Sequence, residues 1–139
     1  MNDTLFIQWQ KQNETGISLI DEQHIGIVSI INSFHYLMGK EAGNSILYSS
    51  ISDTLKNYSR IHFITEERML EALGYPELAA HKEMHRNLTV EIDQIEYIAI
   101  QDNDARPLLN FLKNWWVHHI NEEDMHYAQV LRKMGKLRD

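Results

Sequence analysis

Several histidines of this chain are spaced so that they would lie on one side of an α-helix. His81 and His85 lie four residues apart. In a helix, that step leaves two side chains about 40° apart around the axis and one turn along it, so both imidazoles can bind one ion. The spacing therefore predicts a helix that turns two metal donors toward a single point.

Other histidines stand near carboxylates at similar steps. His62 precedes Glu66 by four residues, His24 follows two acidic residues and a glutamine, and His119 precedes an acidic pair. Imidazole binds iron, zinc, copper and nickel, and a carboxylate can bridge two ions. Five histidines with two carboxylates are too many donors for one ion. The sequence therefore predicts a site for a pair of metal ions.

Each of these histidines lies on an apolar stripe with helical spacing, which predicts four amphipathic helices, A to D. Helix A is expected to begin near Leu19, with Ser18 and Asp21 as a capping box. Helix B is expected to follow a cap at Asn44 or Ser45.

Glycine and proline divide the second half of the chain. Gly74 is expected to end helix B, and Pro76 takes the first position of helix C. Residues 101–104 have the composition of a loop. Helix D is then predicted to start near Ala105 and to continue to Leu131.

Short connections favour antiparallel neighbours. We therefore predict an all-α fold, an up-down-up-down antiparallel four-helix bundle over residues 17–139. An N-terminal arm, residues 1–16, should pack its aromatic residues onto this bundle. The length of 139 residues suits one domain, 1–139, with a substantial core.

Composition excludes several classes of protein. A formal charge of −7 argues against a nucleic-acid-binding surface, which is normally basic. The chain has no cysteine, which excludes disulfides, iron–sulfur clusters and thiolate zinc sites. No signal peptide, membrane span or basic amphipathic stretch is evident. A cytoplasmic location with no membrane partner is the expectation.

The acidic pair after His119 leaves a choice between Glu123 and Asp124. A regular helix turns about 140° between positions five apart, so helical geometry alone favours Glu123, at four. A local widening or bend of helix D would bring Asp124 to the same face, and such bulges often mark functional sites.

The ordered donors resemble the hemerythrin family, specifically the bacterial hemerythrins. The resemblance extends to Trp9 in the arm, Phe63 after a histidine and Trp115 one turn before another. Its motifs are Asp21-x-Gln-His24, His62-x-x-x-Glu66, His81-x-x-x-His85 and His119-Ile-x-x-x-Asp124. The family pattern selects Asp124 over Glu123.

The resemblance implies two non-heme iron ions joined by an oxo or hydroxo group in the bundle core. One iron would be closed, and the other would keep an open position for dioxygen. The implied ligands are His81, His85 and His119 for the first iron, His24 and His62 for the second, and Glu66 and Asp124 as bridges.

Three residues near His119 are candidates for the oxygen pocket: Trp115, Trp116 and Ile120. Related sequences tend to carry an aliphatic residue at position 116. A tryptophan there either narrows the pocket or packs the core. The other histidines are expected at the surface or in supporting roles: His35, His118 and His126.

The implied function is reversible dioxygen binding for storage, transport or scavenging, without catalytic turnover. The excess of neutral imidazoles over carboxylates agrees with binding, because anionic oxygen ligands favour the high-valent iron that oxidises substrates. The alternative is an oxygen or redox sensor that acts through a partner or a fused domain. An enzyme ranks last, since no general acid or base beyond the ligands can be identified. The sequence leaves the oligomeric state open.

Overall fold

The computed structural model describes residues 6–40 and 45–137, and no strand occurs within them. Four helical rods account for most of these residues. Three are single helices, and the fourth is a continuous rod of two α-helices with a π-helical segment between them. They are α1 (Ser18–Lys40), α2 (Ser45–Ala72), α3 (Leu78–Asp102), and the fourth rod of α4 (Arg106–Trp115), the π segment (Trp116–Asp124) and α5 (Met125–Lys133).

The rods form a closed four-helix arrangement. Helix α1 packs against α2, α2 against α3, and α3 against α4, which returns to contact α1. Short connections join consecutive rods, which is typical of antiparallel neighbours. The predicted up-down-up-down bundle is confirmed.

Two apolar clusters make up the core, and the predicted metal donors lie between them. The larger cluster includes Ile27 of α1 and Phe63 of α2. The smaller one includes Ile20 of α1, Leu70 of α2 and Tyr127 of α5. Along each of these rods the polar donors fall between residues of the two clusters. The bundle therefore has a polar layer in an otherwise apolar interior.

The described part of the N-terminal arm, residues 6–16, packs onto the bundle as expected. The ring of Phe6 stacks on His35 of α1 at a centroid distance of 4.2 Å. The backbone of Ile7 is held by Asn32, which accepts from its N–H and donates to its carbonyl, both at 2.8 Å. The arm is thus fixed by backbone hydrogen bonds as well as by ring contacts.

The start of α1 differs in detail from the predicted capping box. The helix begins at Ser18, one residue before the predicted start. The carboxylate of Asp21 reaches past Ser18 and accepts hydrogen bonds from the N–H of Thr15 at 2.8 Å and of Gly16 at 3.1 Å. It accepts these bonds because the arm turns back over the first helical turn. Asp21 therefore fixes the junction between arm and bundle.

Helix α2 ends as predicted at a glycine. Gly74 has a φ of +72°, and the N–H of Tyr75 bonds back to the carbonyl of Leu70 at 2.9 Å. This is a Schellman arrangement, which favours glycine because the left-handed conformation costs it nothing. The cap predicted at Asn44 or Ser45 involves side chains outside those that the structure describes.

The predicted boundaries of helix C were wrong by about two residues at each end. Pro76 lies in a turn, and α3 begins at Leu78. At the other end α3 continues through Asp102 into the predicted loop, and Asn103 ends it in the left-handed conformation with a φ of +50°. Asparagine tolerates that conformation, so the polar composition of this stretch marked only the end of the helix.

Candidate metal centre

All seven donors singled out in the sequence lie in the polar layer of the bundle. Every rod contributes, since α1 supplies one donor and the others supply two each. All are buried, and none of these residues has more than 5% of its surface exposed. These residues are His24, His62, Glu66, His81, His85, His119 and Asp124.

One group of donors surrounds an oxygen of Glu66. The Nε2 atom of His85 lies 3.1 Å from Glu66 Oε1, and Nε2 of His81 contacts the same oxygen. With His119, these residues offer one donor atom each within 4.8 Å of one another. The group joins three imidazoles from α3 and the fourth rod to one carboxylate from α2.

A second group has the same compactness and shares Glu66 with the first. The Nε2 atom of His62 lies 3.1 Å from Glu66 Oε2, and Nε2 of His24 lies 2.9 Å from Asp124 Oδ2. These four residues also offer donor atoms within 4.8 Å of one another. The other oxygen of Asp124 is 3.6 Å from His119 Nε2. Both carboxylates therefore stand between the two groups.

The π segment explains why Asp124, and not Glu123, reaches the centre. Its hydrogen bonds connect residues five apart, so the fifth residue after His119 returns to the same side of the rod. Asp124 is fully buried, whereas Glu123 is exposed. The local widening that would reconcile the spacing with the buried face is present.

Several polar atoms of the centre lack a hydrogen-bond partner within the described residues. They include both ring nitrogens of His24 and His119 and both oxygens of Asp124. The 2.9 Å approach of His24 to Asp124 does not have hydrogen-bond alignment. An unsatisfied buried polar group costs about 1–3 kcal/mol, and a cluster of them requires compensation. Metal coordination would satisfy one ring nitrogen of each histidine and the oxygens of Asp124, so the donor set fits a pair of ions.

Two imidazoles make a second contact on the side away from the centre. His62 donates from Nδ1 to the amide oxygen of Gln23 at 2.7 Å. His85 donates from Nδ1 to the carboxylate of Glu67, also at 2.7 Å. Such outer partners fix the tautomer and leave Nε2 free for a metal ion.

Burial keeps two of the histidines neutral. Burial, and then the charge of His62, lowers the pKa of His24 from 6.5 to about 3. Burial also lowers the pKa of His119 well below its ordinary value. The neutral imidazole is the form that binds metal, so at neutral pH no proton has to leave these rings first.

The two carboxylates respond differently to the same environment. Burial by itself would raise the pKa of Glu66, but the imidazoles of His62, His81 and His85 hold that pKa well below its ordinary value. Burial, and then the charge of Glu66, raises the pKa of Asp124 well above its ordinary value. A bound cation would lower the pKa of Asp124, so that both carboxyl groups would be ionised.

The three pocket candidates are buried beside the centre. Trp115 stacks on His119 at a centroid distance of 5.8 Å, with the ring planes 9° apart. Trp116 makes an edge contact with His24 at 6.2 Å and contacts Trp9 of the arm at 5.6 Å. Ile120 is completely buried in the larger apolar cluster. Trp116 therefore packs in the core and also borders the donor group that contains His24 and His62.

The remaining histidines lie away from the donors, as expected. The side chain of His118 is 70% exposed. His126 is exposed and pairs with Glu77 at 2.9 Å. His35 is exposed on α1, where Phe6 of the arm stacks on its ring.

Sequence reasoning assigned no role to the supporting residues of the centre, although Gln23 stood in one of the matched motifs. Gln23 and Glu67 each adjoin a donor in the sequence, but nothing in their spacing pairs Glu67 with His85, which is 18 residues away. Tyr127 donates from its hydroxyl to Glu66 at 3.2 Å across a separation of 61 residues. Its place on the apolar stripe gave no signal of this polar contact.

The fold and the site together define a class of protein, a four-helix bundle whose core can hold two metal ions. The family model of the hemerythrin HHE cation-binding domain matches residues 15–131 of the sequence. The chain belongs to the hemerythrin family. Membership of this family supports an oxygen-binding protein with a di-iron centre.

Individual relatives resemble the chain over most of its length. Bacteriohemerythrin of Pseudomonas aeruginosa is 32% identical over 127 residues, which cover 89% of this chain and 80% of the relative. Bacteriohemerythrin of Clostridium acetobutylicum is 31% identical over 125 residues, covering 86% and 96%. A crystal structure of wild-type hemerythrin matches with a TM-score of 0.79 at 26% identity, covering 91% of this chain and 98% of that one.

A helix that crosses a membrane must be long and predominantly apolar. Within residues 6–40 and 45–137, no helix combines the length and the apolar character needed to cross a bilayer.

Proposed function

We propose that this protein binds dioxygen reversibly at a di-iron centre, in oxygen storage, transport or scavenging. Three imidazoles would hold one iron and two would hold the other, with two carboxylates as bridges. The proposed ligands are His81, His85 and His119 for the first iron, His24 and His62 for the second, and Glu66 and Asp124 for both.

The observation that carries this proposal is the pair of donor groups that share Glu66. Each group places its donor atoms within 4.8 Å of one another, and many of these atoms have no other partner in the described part of the chain. The lowered pKa values of His24 and His119 keep the rings in the form that coordinates. The whole arrangement is buried, which limits access of water.

The unequal number of imidazoles supports binding of an external ligand at one side. A reduced pair of iron ions supplies the two electrons needed to bind dioxygen reversibly. The chain offers one imidazole fewer at the His24 and His62 side, so we expect the external ligand there. Trp116 borders His24 on that side and would limit the space and exclude water. Trp115 and Ile120 would complete the apolar surroundings.

The test is metal analysis together with an absorption spectrum of protein purified in air. We expect two irons per chain and a visible band that bleaches when oxygen is replaced by an inert gas and returns on readmission. Protein with two irons that never forms a reversible adduct would contradict the proposal.

The sensor interpretation makes a different prediction. A sensor requires a partner or a fused domain whose activity changes with the oxygenation state. Co-purification of the protein under air and under inert gas distinguishes the roles, because a storage protein should retain no partner selectively in either state. An enzyme would show steady-state turnover far above its rate of autoxidation.

A further inference from the structure

The outer partners of two imidazoles differ in charge, although their geometry is the same. His62 and His85 each donate from Nδ1 at 2.7 Å, one to the neutral amide of Gln23 and the other to the carboxylate of Glu67. Both Nε2 atoms face Glu66, at 3.1 Å. One imidazole in each half of the proposed centre therefore has an outer acceptor. The acceptor is uncharged beside His62 and anionic beside His85.

The contact of Glu67 with His85 is built into the packing between α2 and α3. The ring of Phe63 stacks on His85 at 4.1 Å with the planes 14° apart, which fixes the plane of the imidazole. The side chain of Glu67 is 24% exposed and that of His85 is 3% exposed. Glu67 therefore meets the ring from the rim of the bundle, while Phe63 covers its face.

We propose that Glu67 is a positioning residue that makes the two metal positions electronically unequal. Its carboxylate holds the proton of His85 on Nδ1, as Gln23 does for His62, and its negative charge in addition increases electron donation from Nε2 to a metal ion. The metal position formed by His81, His85 and His119 should consequently stabilise a ferric ion over a ferrous ion more than the position formed by His24 and His62 does. This inference rests on the ligand set of the proposed function.

The physical reason is the charge of the acceptor. A carboxylate that accepts the outer N–H of a ligating imidazole draws the proton toward itself and enriches the ring in electron density. A ring that donates more density stabilises the higher charge of a ferric ion over a ferrous ion. An amide acceptor orients the ring in the same way but brings no net charge.

The experiment uses two nearly isosteric exchanges of opposite sign, Glu67→Gln and Gln23→Glu, in the full chain. Glu71→Gln is the matched control, because Glu71 is exposed on the same helix and carries the same charge. Loss of an outer partner typically weakens metal affinity 10–100-fold. Because glutamine can still accept the hydrogen bond from Nδ1, we expect Glu67→Gln to weaken zinc binding at the lower end of this range, by about 10-fold, and to raise the reduction potential of the iron-loaded protein. Gln23→Glu should lower the potential, and Glu71→Gln should change neither quantity.

A measurement on the metal-free chain separates this inference from the proposed function. The ¹⁵N shift of His85 Nδ1 reports how strongly the acceptor polarises its N–H bond, and it should change in Glu67→Gln but not in Glu71→Gln. If the protein held zinc with these effects yet never bound dioxygen, the proposed function would fail and the role of Glu67 would stand. Equal effects of Glu67→Gln and Glu71→Gln, or potential shifts of the same sign for Glu67→Gln and Gln23→Glu, would overturn the inference.

Discussion

Helix α3 and the π segment both present two donors to the centre, but they do so by different local geometries. In α3, His81 and His85 are four residues apart on a regular helix, and His85 has an outer partner in Glu67. In the π segment, His119 and Asp124 are five apart, and none of their ring nitrogens or carboxyl oxygens has a hydrogen-bond partner among the described residues.

The two regions therefore depend on bound metal to different degrees. The α3 donors are aligned by ordinary helical spacing, and one of them is supported by another side chain. The π-segment donors need an uncommon backbone geometry and are buried without compensation. The fourth rod should therefore be the part of the protein that gains most from bound ions.

The largest expected effect is on iron content. Asp124→Ala removes a proposed bridge and should cost more metal affinity than the ~10–100-fold typical of an outer partner, leaving fewer than two irons per chain. Glu123→Ala is the matched control, because this neighbouring carboxylate is exposed. Iron analysis after gel filtration measures the effect. Equal iron loss in both variants would show that the π segment does not select the donor.

Metal removal should loosen the π segment more than α3. Each unsatisfied buried group costs about 1–3 kcal/mol, so amide exchange at residues 116–124 should accelerate about 10–100-fold in the metal-free protein. Residues 81–89 of α3 should change less. Hydrogen exchange with mass spectrometry compares the two regions directly. Uniform acceleration along the chain would remove the distinction between them.

Acid should destabilise the metal-free protein. The pKa values of His24 and His119 are lowered by burial, so the unfolded chain binds more protons below the ordinary value of 6.5. Each of these two histidines then lowers the free energy of unfolding by about 1.4 kcal/mol for each unit by which the pH falls. The raised pKa of Asp124 acts in the opposite direction and offsets part of this loss.

The contribution of these histidines should be complete above pH 6.5 and should decline as pH falls, for His24 until about pH 3. Denaturant unfolding near neutral pH and one unit below the ordinary histidine pKa should differ by about 1 kcal/mol or more. His119→Asn should flatten this dependence. If the free energy of unfolding rose as the pH fell, the effect of protonating Asp124 would be larger than that of the two histidines.

The smallest effect concerns the one hydroxyl contact between α5 and the centre. Tyr127→Phe removes the hydrogen bond to Glu66 and should lower the free energy of unfolding of the metal-free protein by about 1 kcal/mol. Tyr97→Phe on α3 is the control, because Tyr97 is 65% exposed. Denaturant unfolding of both variants gives the comparison. A loss no greater for Tyr127→Phe than for Tyr97→Phe would show that the contact contributes nothing.

Helical periodicity predicted most of the fold because it depends on local spacing. The stripes of apolar residues located four rods, and Gly74 marked the end of α2 where a left-handed residue was needed. The ends of α3 were less predictable. Pro76 can occupy a turn as well as a first helical position, and only the path between α2 and α3 chooses between them.

Local sequence was enough to predict which residue types lie on the inner faces and how far apart they are, because the 3.6-residue periodicity is a property of the helical backbone. Helical spacing could not choose Asp124 over Glu123, and only the family resemblance favoured it. The tertiary structure supplies the physical reason, because the π geometry turns Asp124 inward and leaves Glu123 exposed. It likewise decided that Glu67 meets His85 and that Tyr127 meets Glu66. Those pairs are set by how neighbouring rods pack side by side, and local spacing carries no information about that.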